Sequence, residues 1–274
     1  MTMQPQMIAG LPIWMAGLLI AGFAMTGAVL IELLVRRLIS LEVRTSHNTV
    51  ASAMFSVIGT TYAVLLAFVA MLAWDGFNKA QSVTDTEASL ILNVYQLVDG
   101  LSGPDMVAMR TDIIAYGQAV VEIEWPAQVR GDVVAEDEPS LSRLTRIALH
   151  LRPGNIADGD LHTLLLGDLT RLSGVRRERL LVQRTPIPSI VWFVLLGGGG
   201  ISIAFSSFLG ARDLRMHLAM SCLLALSGAL VLLLIVALSN PFRGDLRIST
   251  EPFERVLAQI ALDNRAVSSP HAVR

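Results

Sequence analysis

Charge is scarce in this sequence. Charged residues make up 16% of the 274 positions, against about a quarter in an average soluble domain. Apolar residues reach 53%, with a mean hydropathy of +0.58, so one water-facing domain of this composition would expose too much apolar surface. A basic surplus is also missing. The net charge of −2 leaves nothing to neutralise phosphates, which excludes nucleic acid as a partner. The single cysteine, Cys222, sits in an apolar run and excludes a disulfide framework or a multi-cysteine metal site. His47, His150, His162, His217 and His271 are scattered, with no pair at helical ligand spacing. No phosphate-cradling Gly-Lys loop and no Gly-x-Ser-x-Gly elbow is present, so neither an enzyme nor a bound cofactor or metal is expected.

The apolar residues are gathered into long runs. Residues 8–31, 48–74, 185–211 and 218–242 carry almost no charge, and about 20 helical residues cross a bilayer core. Unbroken runs favour helices over the alternating segments of a barrel. The predicted spans are 8–34, 48–74, 187–210 and 216–240, with a water-facing block at 75–186 and a tail at 241–274. The first run is not a cleavable leader, because it lacks a basic start and ends in Glu32, Arg36 and Arg37. Lys79, Arg171, Arg176, Arg177, Arg179, Arg184, Arg243, Arg247 and Arg255 outnumber Arg36, Arg37, Arg44, Arg212 and Arg215 of the short loops. This bias predicts cytoplasmic termini and a cytoplasmic 75–186 block.

The block reads as helical. Apolar residues from Phe77 to Val98 recur at steps of three and four, so the second span is expected to continue as one helix to about Gly100. Pro104 and Asp105 open another helix that should end at Trp125, before Pro126. After the acidic run Glu136-Asp137-Glu138, Pro139 starts a short helix, and a last one covers roughly 158–184, with Pro186 and Pro188 ahead of the third span.

In the second span Ser52, Ser56, Gly59, Thr60, Ala63, Ala67 and Ala70 share one face. Such a stripe suits a packing seam between helices, or the lining of a pore with Tyr62 or Phe68 as a constriction. Gly197–Gly200 fall inside a span and suit close helix packing or a thin, flexible point. No Asp, Glu, Lys or Arg falls in a span core, which weighs against pumps and voltage sensors, and His217 is read as interfacial. The arginines from Arg171 to Arg184 suit anionic-lipid contact or anion concentration at a mouth.

Several motifs carry a family resemblance. Gly59-Thr60-Thr61-Tyr62-Ala63, Trp74 with Phe77, Glu87-Ala88, Glu124-Trp125-Pro126, and Pro241-Phe242 followed by Gly244-Asp245 spread over most of the chain. Together they resemble the bacterial bestrophin-like family and, more distantly, the bestrophin anion channels. The resemblance implies an all-α membrane protein of a bacterial inner membrane, with four transmembrane helices and a cytoplasmic helical domain between the second and third. It further implies a homo-oligomer, a pentamer in the channels, with the second span lining an anion pore. Its partners would then be membrane lipid, further copies of the chain and inorganic ions. Of the acids that clasp calcium in animal bestrophins only Asp245 remains, and Ser239 stands where the bacterial family often has an acid. Pro241-Phe242 suits a gate element or a plain helix stop anchored at the interface. The expectation is an ion channel; the alternative is a non-conducting scaffold whose cytoplasmic helices bind a partner or lipid.

Overall fold

A computed structural model describes residues 12–101, 103–135, 137–184 and 187–268. Residues 8–11 of the first predicted span, Glu136, Pro186 and His271 lie outside the described residues. Ten α-helices follow in order: α1 (Ile13–Leu38), α2 (Leu41–Ser46), α3 (Asn48–Gly100), α4 (Asp105–Ala119), α5 (Trp125–Arg130), α6 (Pro139–His150), α7 (Ile156–Arg184), α8 (Ser189–Ser206), α9 (Leu214–Leu238) and α10 (Glu251–Ser268), with no strand among the described residues.

The chain divides into two compact units. The first holds Met1–Phe77, Pro186–Asn240 and Gly244–Leu246; the second holds Asn78–Thr185, Pro241–Arg243 and Arg247–Arg274. Among the described residues four helices are long and apolar enough to cross a membrane: α1, α3, α8 and α9. The most apolar window of α3 is only 11% buried, so its apolar surface calls for a cover of lipid or of other chains.

In the first unit α1 lies along α9, and α8 touches both. Leu66, Val69 and Ala73 of α3 pack with Leu195 of α8 and with Ile235 and Leu238 of α9. Asp213 caps α9, accepting from the backbone N–H of Arg215 at 2.9 Å. Asp245 accepts from the backbone N–H of Ile13 at 2.8 Å, placing a carboxylate at the positive end of α1.

In the second unit α4 packs against α6 and α10, and α6 against α7. Tyr95 of α3 donates its hydroxyl to Asn264 Oδ1 of α10 at 2.8 Å. Glu138 caps α6 through the N–H of Leu141 at 2.6 Å, with Pro139 at the first helical position.

One predicted boundary is corrected. The helix opened by Asp105 does not end before Pro126. It passes through a π turn at Val120–Glu124 and continues as α5 to Gly131. The π turn restarts the hydrogen-bond ladder, so Pro126 falls in the first turn of a new helix, where a missing N–H costs nothing. Gly131 closes α5 at φ 84°, and a Cβ there would meet the Arg243 guanidinium at 2.8 Å.

Candidate functional site

The stripe in α3 is turned away from the packed core of its unit except at Ala70, which is half-buried against it. Ser52, Ser56, Thr60, Ala63 and Ala67 are exposed, and Gly59 is partly exposed with nothing within 4 Å of where a Cβ would stand. The buried face carries Leu66, Val69 and Ala73 instead. The stripe is therefore not a seam within one chain. Each hydroxyl donates back into its own helix: Ser52 to the Asn48 carbonyl at 2.7 Å, Ser56 to Ser52 at 2.9 Å and Thr60 to Ser56 at 2.7 Å. That satisfies the hydrogens without a neighbouring helix.

The two aromatic candidates part company. Phe68 is 65% exposed, two four-residue steps beyond Thr60 on the same helix. Tyr62 turns to α8 and donates its hydroxyl to the Leu195 carbonyl at 3.0 Å. Its ring lies over the tetraglycine run: a Cβ on Gly198 would meet Tyr62 Cδ2 at 2.7 Å, and one on Gly199 the hydroxyl at 2.8 Å. Two of the four glycines thus make room for one aromatic ring. Gly198→Ala is expected to destabilise the protein by ~1–3 kcal/mol through overpacking. Tyr62→Ala should relieve that clash, so the double variant melts, in detergent, above the value that the two single losses add to.

In the second unit the motif residues converge. Arg179 of α7 is fully buried; its Nε donates to Glu87 Oε2 at 2.6 Å, its Nη2 to Glu87 Oε1 at 3.1 Å and to Glu124 Oε2 at 2.6 Å, and its Nη1 to Gln128 Oε1 at 2.7 Å. Arg176 holds the other Glu124 oxygen at 2.6 Å, and Tyr116 donates to Glu87 Oε1 at 2.5 Å. Burial, then the adjacent Glu87 carboxylate, pushes the Tyr116 hydroxyl well above the usual tyrosine range, so it remains a donor. Burial opposes the charge of Arg179, yet Glu87 and Glu124 outweigh it and hold the guanidinium above its ordinary pKa.

An aromatic cluster adjoins this network. The Trp125 ring meets Phe242 edge-on at 5.5 Å and Phe253 at 5.8 Å, and the Arg179 guanidinium lies 5.8 Å from the Trp125 centroid. Phe242 is 1% exposed. It is a core residue of the second unit, which corrects the expectation of an interfacial anchor. Pro241 accepts from the Ile248 N–H at 2.8 Å, turning the chain after Phe242.

The profile of the bestrophin-like domain matches residues 13–253. The chain belongs to the bestrophin-like family. Crystal structures of a bacterial bestrophin homologue from Klebsiella pneumoniae share the fold. A point variant superposes with a TM-score of 0.67 at 14% identity, covering 88% of this chain and 99% of that one. A second variant gives 0.66 at 16% identity over 89% and 96%, and the form solved by zinc anomalous phasing gives 0.62 at 15% over 88% and 97%. Among curated protein sequences none matches this chain. Family and apolar helices together make it a membrane protein of channel type.

Within this bestrophin-like chain the motif residues do unlike things. Glu87, Glu124, Trp125 and Phe242 form one buried cluster, Asp245 caps α1, Gly244 turns the chain at φ 79°, and Trp74 is 53% exposed on α3. Arg176 and Arg179 are held in buried ion pairs, which corrects their reading as lipid contacts or anion attractors; Arg171 and Arg177 remain exposed. Sequence reasoning gave no buried role to either of two polar residues. Glu32 lies inside α1 and His217, read as interfacial, in the first turn of α9, and both are shielded from solvent. Among the described residues no three His, Cys, Asp or Glu side chains gather to hold a metal.

Proposed function

We propose that several copies of this chain surround an axis in a bacterial inner membrane and form an ion channel lined by the exposed stripe of α3. The observation that carries this reading is that Ser52, Ser56, Thr60, Ala63 and Ala67 stand exposed on α3, beside the equally exposed Val57, Val64 and Phe68. A helix that only packs within its own chain would turn its small residues inward. Small side chains leave width for an ion, and hydroxyls offer dipoles to one that sheds water. The likeness to bestrophins favours an anion. Each hydroxyl meets it by swinging its hydrogen from the i−4 carbonyl toward the lumen. Phe68 supplies the constriction, and Tyr62 holds α3 to α8. The second unit lies in the cytoplasm with both termini, following the arginine bias.

Purified protein in planar bilayers tests this. Wild type is expected to carry current whose reversal potential under a salt gradient follows the anion. Thr60→Phe abolishes that current, and Leu19→Phe, on the exposed surface of α1, leaves it. Current that survives Thr60→Phe refutes the lining. A folded oligomer without current returns the protein to the non-conducting scaffold.

A further inference from the structure

Glu32 and His217 lie in two of the apolar helices, yet they meet in a buried polar cluster of the first unit. Glu32 has no exposed surface, and its two oxygens are used differently. Oε1 accepts from Arg36 Nε at 2.7 Å and from Arg44 Nη1 at 3.3 Å. Oε2 accepts from nothing and lies 3.4 Å from His217 Nε2. That same nitrogen is 3.3 Å from the Ser206 carbonyl oxygen, while Nδ1 of the ring has no partner. The arginines thus leave one carboxylate oxygen to the imidazole.

The cluster fastens the turn between α8 and α9. Arg44 Nη1 donates to the Ser207 carbonyl at 2.8 Å and Arg36 Nη2 to Ala211 at 3.2 Å. Asn48 donates to the Gly210 carbonyl at 3.0 Å and accepts from the Gly210 N–H at 2.7 Å. A Cβ on Gly210 would meet the Thr45 backbone nitrogen at 2.7 Å, so the turn sits tight against α2. The charges facing His217 are Glu32 and Arg36 from α1 and Arg44 from α2. Helix α8 carries no titratable residue, the N-terminal turn of α3 carries none, and Asp213 and Arg215 beside His217 are exposed.

We propose that the Glu32–His217 pair is a proton-binding site that sets how firmly the α8–α9 turn is held. The ligand is a proton from solvent, taken up on the free imidazole nitrogen with no other bond made or broken. Neutral His217 has a single N–H. If Nε2 carries it, that one donor goes to the Ser206 carbonyl at 3.3 Å, and Glu32 Oε2 is left close by without a hydrogen bond. The protonated ring has an N–H on each nitrogen and a full charge, and its contact with Oε2 becomes a charge-assisted hydrogen bond. Proton uptake on this ring therefore tightens the grip on the turn. This inference does not depend on conduction.

Backbone hydrogen exchange of residues 207–217 in the full chain in detergent, corrected for the intrinsic pH dependence of exchange, tests it. Protection is expected to be roughly tenfold greater at about pH 5.5 than at about pH 8.5, the scale on which charge-assisted and neutral hydrogen bonds differ. His217→Gln keeps a side-chain donor and cannot titrate. Its profile should be flat at the wild-type alkaline level. A flat wild-type profile overturns the proposal, whether or not the glutamine variant folds, and so does a glutamine variant that keeps the wild-type slope.

Discussion

Arg179→Leu is expected to lower the stability of the protein by ~3–5 kcal/mol, the cost of leaving a buried charge without its partner. For a protein of this size that is a fall of about 10 °C or more in melting temperature, read by size-exclusion melting in detergent. The loss is unequal at the two carboxylates. Glu124 keeps Arg176 at 2.6 Å, whereas Glu87, with 0% exposure, keeps only the Tyr116 hydroxyl. Glu87 is therefore the group that suffers, and neutralising it should restore part of the loss. Arg179→Leu with Glu87→Leu is expected to melt above Arg179→Leu alone, because an apolar pair of similar volume often replaces a buried ion pair at little cost. The single variants need not add, since all share one network. An Arg179→Leu protein that melts within a degree or so of wild type would show that the network is solvated.

Much of this architecture is legible in the sequence, for a local reason. Apolar run length sets the spans, and the unbroken three- and four-residue spacing through Phe77, Ala80, Val83, Glu87 and Val94 extends α3 to Gly100, as the structure has it. What is not legible depends on partners distant in the chain. A sequence displays Arg176 and Arg179 as a cationic patch. Only the fold sets them against Glu87 and Glu124, more than fifty residues away in each case. Pro126 misleads because the rule that ends a helix before proline assumes an uninterrupted α ladder, and the π turn at Val120–Glu124 breaks it. His217 is a different case. At the start of an apolar run it reads as interfacial, and the fold sets it against Glu32 of α1, out of solvent.

The stripe of α3 shows the same division. Its membership follows from period alone, because Ser52, Ser56, Gly59, Thr60, Ala63, Ala67 and Ala70 recur at steps of three and four. Whether a neighbour in the same chain covers that face is a tertiary fact, and it is left uncovered except at Ala70. Tyr62 belongs to the same motif as Thr60 yet serves another purpose, because Gly198 and Gly199 clear a space for its ring. One short motif thus carries a surface role and a packing role at adjacent helical positions.

Trp125→Ala is the second large effect expected, at ~3–5 kcal/mol, the range for removing a buried large aromatic. Trp125 is 4% exposed and touches Phe242 and Phe253, two of the largest fully buried side chains, as well as the Arg179 guanidinium. Its loss would open a cavity beside a buried charge. That cavity lies between residues brought in by α5, α7 and α10 and by the Pro241-Phe242 turn, so several elements would have to move to fill it. Trp125→Phe separates packing from cation recognition. It keeps an aromatic face for Arg179 but shortens the reach to Phe242, and should cost roughly half as much. Phe242→Ala is then expected to be far less damaging in the Trp125→Ala background than in wild type, because the contact it removes is already gone. Additive losses in the double variant would mean that the two rings act separately, and that Pro241-Phe242 is kept for a reason other than its seat on Trp125.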